Sequence, residues 1–163
     1  MSAVPNVEAS RFGSGQAVQR VEDPALLAGK GQFTDDVAPA GQLHLVFVRS
    51  PYAHARIVSI DTAAASALPG VVAVMTGAQL VSAGVNSMPT VVPFKRPDGG
   101  DVVTAPRRAL AQDKVRYVGE AVALAVADSR DAARAAADAV VVDYEELPAV
   151  TEVMAALKPD APR

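Results

Sequence analysis

Between Arg130 and Val140 the side chains that recur at helical spacing, Ala132, Ala133, Ala136, Ala137 and Val140, place a stripe made almost entirely of methyl groups along one side of a helix. A face that shallow buries surface only by lying close against something flat. The sequence therefore predicts a helix over Arg130–Ala139, capped by Asp128 or Ser129 and pressed onto a sheet. Strand candidates stand on either side of it. Ala121–Ala127 is an apolar run introduced by a tight turn at Gly119 and Glu120, and Val140–Tyr144 is a second run that Pro148 closes. Half the residues are apolar but only 4% are aromatic, so the core must be built from Val, Ala and Leu.

Other strands can be read upstream. In Leu43–Arg49, Leu43, Leu45 and Phe47 alternate with His44, Val46 and Val48, as in a largely buried strand. Ser50 and Pro51 break this run, because proline withholds a ladder donor and restricts its predecessor. Arg56–Ile60 is a further strand. Asp61 is positioned to cap a short helix over Thr62–Leu68, which Pro69 and Gly70 end, and Val71–Thr76 and Lys114–Val118 complete the set. From Gly84 to Arg108 periodicity dissolves, and a loop of that length is either functional or disordered. The expected class is α+β: a mixed sheet with two main helices packed on it and β-hairpin elements besides. A chain of 163 residues fits one domain, assigned to residues 20–157, after an extended or disordered arm over 1–19 and before a linker start over 158–163.

Composition excludes several functions. A net charge of −3 with mixed signs offers no basic face, so no nucleic-acid partner is expected. The absence of cysteine removes disulfides, thiolate zinc sites and iron–sulfur ligation by this chain. No apolar run reaches bilayer length and no leader-like segment opens the chain, so no membrane partner is expected and the cytoplasm is the expected compartment.

Catalytic constellations are equally sparse. His44 and His54 lie ten residues apart, without the short spacings of helix-borne metal sites. Ser50 between Arg49 and Pro51 reads as a turn residue, and no nucleophile elbow is present. Gly13 and Gly15 begin like a dinucleotide fingerprint, yet no strand precedes them and Val18 stands at the third glycine position. Gly29 and Gly31 flank Lys30 and would either offer amides to an anion or permit a sharp entry into the first strand. Asp35 and Asp36 suit a turn or cap; Asp143, Glu145 and Glu146 suit a solvated strand edge. No residue makes a catalytic case.

Several segments nevertheless carry a specific resemblance. Arg20–Asp36 (RVEDPALLAGKGQFTDD), Arg49–Asp61 (RSPYAHARIVSID), Pro69–Leu80 (PGVVAVMTGAQL), Leu110–Asp128 (LAQDKVRYVGEAVALAVAD) and Val140–Val150 (VVVDYEELPAV) resemble the leading α/β-hammerhead domain of the molybdopterin-binding large subunit in the xanthine dehydrogenase and aldehyde oxidase family, including its carbon monoxide dehydrogenase branch. The resemblance implies a complete enzyme that holds a molybdenum–pterin cofactor, two 2Fe–2S clusters and FAD, with this chain itself binding none of them. It implies as partners the remaining molybdopterin-binding domains, an iron–sulfur subunit and a flavin subunit. It further implies that Gly29, Gly31, Asp35, Asp36, Arg49, His54 and Arg56 hold turns together or meet a neighbouring domain, and that Met88, Val92 and Phe94 line a substrate channel. Such subunits run for several hundred residues more, which leaves three accounts: an excised domain, a naturally split subunit or an autonomous domain. The corresponding functions are a non-catalytic part of a molybdenum hydroxylase, inactive by itself and acting in assembly and channel shaping, or a stand-alone small-molecule-binding or scaffold domain.

Overall fold

The computed structural model describes residues 20–89, 94–102 and 106–162. The expected arm over 1–19, with its glycine pair, and Val92 lie outside the described residues. The chain forms two compact units, Met1–Ala40 and Gly41–Arg163.

In the first unit, Asp23–Leu27 is a one-turn helix, α1, with Pro24 in its first turn where the missing amide costs nothing. A single 3₁₀ turn follows at Thr34–Asp36.

Among its described residues the second unit carries six strands and four helices, in the order β1 (His44–Arg49), β2 (Ala55–Asp61), α2 (Ala63–Ser66), β3 (Val71–Thr76), α3 (Gly77–Ser82), β4 (Lys114–Val115), β5 (Ala121–Ala127), α4 (Arg130–Asp138), β6 (Val141–Glu146) and α5 (Val153–Ala156). The α+β class is as expected. Its strands divide between two sheets, ordered β1–β5–β3 and β4–β2–β6, and every pairing is antiparallel.

The alanine stripe fixes how the first sheet is covered. Ala133, Ala136 and Ala137 of α4 are buried, and Ala136 and Ala137 cluster with Val140, with Val74, Ala123 and Ala125 of the sheet and with Ala65 of α2. Val46 and Val48 flank this cluster. Ser129 is the cap that forms: its hydroxyl accepts from the Ala132 amide at 3.3 Å. Asp61, expected to cap α2, instead stands one place before the cap position Thr62, and its carboxylate accepts from the Ala63 amide at 2.9 Å. A second cluster, Ala55, Ala111, Val115 and Val122, lies near the second sheet and includes Tyr52 and Tyr144 at its edge. The long segment after Gly84 is pinned at two isolated bridges, Met88 with Arg107 and Lys95 with Asp101.

Candidate functional site

The turn between β1 and β2 gathers most of the polar residues singled out from the sequence. Its centre is Ser50, 2% exposed. The Ser50 amide donates to the Glu120 carbonyl at 2.9 Å, and the Ser50 carbonyl accepts from the Gly119 amide at 2.8 Å. Its hydroxyl accepts from the Tyr52 amide at 3.0 Å, a side-chain turn of the kind Ser forms where the backbone must reverse. Gly119 sits at φ +88°, a left-handed conformation that a Cβ would strain.

Around this centre, three basic side chains tie distant segments together. Arg49 donates through Nη1 to the Gly119 carbonyl at 2.8 Å, and its guanidinium stands 5.3 Å from the Phe47 ring centroid. Arg56 pairs with Glu145, its register partner on β6, and the neighbouring Ser59 hydroxyl donates to Asp143 at 2.6 Å. Asp143 and Glu145 of β6 are thus exposed carboxylates engaged by cross-strand partners.

His54 makes the longest reach. Its Nδ1 lies 2.7 Å from the Pro148 carbonyl, and since a carbonyl only accepts, Nδ1 carries the proton. Nε2 is buried and without a hydrogen-bond partner among the described residues. His54 borders an open groove of about 510 Å³, lined also by Tyr117, Val118, Pro148, Val150 and Ala156.

Two tyrosines close the turn from inside. Tyr52 and Tyr144 stand with ring centroids 5.1 Å apart at 52°, a tilted aromatic pair. Burial pushes the Tyr144 phenol above its ordinary value; a side-chain hydrogen bond with Ser50 works against that shift, and the nearby Tyr52 adds to it. Neither the Ser50 node nor this pair was visible as a site in the sequence, because their partners come from residues far along the chain.

The remaining expected residues lie elsewhere. Gly29 adopts φ +66° after α1, and a Cβ on Gly31 would fall 2.5 Å from Leu26 Cδ2. Asp36 accepts from the Phe33 amide at 2.9 Å, while Asp35 shares its 3₁₀ turn. Met88 and Phe94 are about two-thirds exposed.

For a metal or redox group, the donor chemistry is poor. Cysteine is absent from the sequence, and among the described residues no three His, Asp or Glu side chains come together. His44 and His54 are not brought into a ligand set. These residues do not fit a molybdenum or iron centre, and no redox step follows from them. Among the described residues no helix is long and apolar enough to cross a membrane.

Comparison with known proteins shows the family of this domain. Residues 28–148 match the model of the aldehyde oxidase and xanthine dehydrogenase a/b hammerhead domain. The carbon monoxide dehydrogenase large chain of Afipia carboxidovorans is 45% identical over 150 residues, covering 92% of this chain and 17% of that one. The xanthine dehydrogenase molybdenum-binding subunit of Escherichia coli O157:H7 is 39% identical over 145 residues, covering 87% of this chain and 18% of its own length. The crystal structure of quinoline 2-oxidoreductase from Pseudomonas putida 86 superposes with a TM-score of 0.78 at 44% identity, over 88% of this chain and 18% of that one. The chain thus spans less than a fifth of the relatives it matches, and within that span it belongs to the aldehyde oxidase and xanthine dehydrogenase family as its α/β-hammerhead domain.

Proposed function

We propose that this chain is a non-catalytic component of a molybdenum-dependent hydroxylase or dehydrogenase, working in the cytoplasm, where it contributes to assembly and to the shape of the substrate channel. The observation that carries the reading is the pairing of a match along nearly the whole chain with coverage of only 17% of a carbon monoxide dehydrogenase large chain. The bonds of Arg49, Ser50, His54 and Arg56 give the β1–β2 turn a structural part in the domain. The partners are the remaining molybdopterin-binding part of the large chain, an iron–sulfur subunit and a flavin subunit, which hold the molybdenum–pterin, 2Fe–2S and FAD groups. Met88 and Phe94, both exposed, stand on the loop that would border the channel.

The test is to recover the chain from its source under gentle conditions and measure the mass of whatever contains it, together with molybdenum and iron. A large metal-containing assembly is expected. A metal-free species of 16.7 kDa would overturn the proposal. The groove beside His54 favours a second reading, a stand-alone small-molecule-binding or scaffold domain, for which stabilisation of the isolated chain by a ligand would be the signature.

A further inference from the structure

The groove beside His54 differs in charge from the chain that surrounds it. Acidic residues outnumber basic ones in the sequence, for a net charge of −3, yet among the described residues no Asp or Glu lines this groove and Arg116 does. The Arg116 guanidinium makes one long hydrogen bond, 3.4 Å from Nη1 to the Lys114 carbonyl, and no ion pair among the described residues. Arg56, Lys95 and Arg96 each hold a carboxylate instead. Most donors of the Arg116 fork are therefore open to an anion.

The apolar part of the lining comes from two segments, Tyr117 and Val118 in the turn after β4, and Pro148 and Val150 after β6. Tyr117 and Val118 are 59% and 64% exposed, so both have surface left to bury. The second segment is held from two points. The Leu147 amide donates to the His54 carbonyl at 2.9 Å, and the Pro148 carbonyl accepts from His54 Nδ1 at 2.7 Å. That wall is thus formed before any ligand arrives, which spares the cost of ordering it on binding. The groove, at about 510 Å³, has the size of a small-molecule site.

The geometry points to a binding site for a small aromatic carboxylate, with the carboxylate on the Arg116 fork and the ring against Tyr117, Val118 and Val150. The inference rests on the second reading given above and names the class of ligand. The anionic group is argued from a lining that holds a guanidinium and no carboxylate, and the aromatic body from the exposed tyrosine ring among aliphatic neighbours.

Titration of the 163-residue chain with sodium benzoate at constant ionic strength tests this, with backbone amides followed by proton–nitrogen correlation NMR. Saturable shifts of the Tyr117, Val118 and Val150 amides are expected, half complete at about 1 mM. Benzamide, of the same shape without the charge, should bind about tenfold more weakly, and Arg116→Gln should weaken benzoate by about tenfold. Arg108→Gln should change nothing, because Arg108 lines a separate small cavity that shares Arg116 but lies outside the groove. A loss with Arg108→Gln as large as that with Arg116→Gln places the anion in that cavity and overturns the inference. Equal binding of benzoate and benzamide also overturns it and leaves the small-molecule reading standing. Shifts that never saturate, or that spare these three amides, overturn it as well. Recovery of the chain only within a large metal-containing assembly overturns the stand-alone reading whatever benzoate does, so the two failures are told apart.

Discussion

Ser50 commits its amide, its carbonyl and its hydroxyl to three different partners, which explains how a polar residue is tolerated at 2% exposure. The burial of its neighbour Tyr144 has a measurable consequence at high pH, which the hydrogen bond with Ser50 lessens. Burial raises the Tyr144 phenol above 10.0, so the folded state holds that proton more tightly than the unfolded chain does. The contribution is complete below the unfolded value and is lost as pH rises through the folded one. Tyr144→Phe should therefore lower stability near neutral pH by about 0.5–1.5 kcal/mol, the usual worth of one hydrogen bond, and should flatten the alkaline decline. Urea midpoints followed from about pH 8 to about pH 11, across the ordinary tyrosine range, would check both effects. Arg49, His54 and Arg56 stood out in the sequence through the family resemblance, as residues that hold turns or meet a neighbouring domain. Their partners Gly119, Pro148 and Glu145 could not, since each is at least seventy positions away and nothing local encodes the match.

Among the elements, α4 was the most legible, because a serine cap and an alanine stripe each state the same boundary and the same face. Ala133→Leu should cost about 1–3 kcal/mol through overpacking, since that position is fully buried against its neighbours. A drop in the denaturant midpoint without a change in slope would be the expected record. The short helices α1, α3 and α5 were missed because four to six residues are too few to display a period. In α3 the signal that existed was chemical: the Gln79 side chain accepts from the Thr76 amide at 2.8 Å, one half of a capping box. Strand positions were legible from alternation, but alternation names a face and never a neighbour. That is why one mixed sheet was expected where two antiparallel sheets form.

For the molecule as a whole, the proposed non-catalytic role predicts no turnover of aldehydes or purines by the isolated chain in a dye-reduction assay, since the chain spans only 17% of a large chain of the family. Sustained turnover by the pure chain would contradict that expectation. The family was legible from segments such as RSPYAHARIVSID and VVVDYEELPAV, whereas the sheet face that α4 covers was not, because alternation along a strand does not say which side a helix takes. The strand orders carry one more consequence. In each sheet the middle strand joins partners that lie far apart along the chain: β5 separates β1 from β3, and β2 stands between β4 and β6. During synthesis, then, β1, β2 and β3 leave the ribosome with no strand to pair with, and neither sheet begins to close until residues beyond Asp113 have emerged. Until that moment the apolar strands of the first half are edges on both sides, and their safety is a matter for the cell's chaperones.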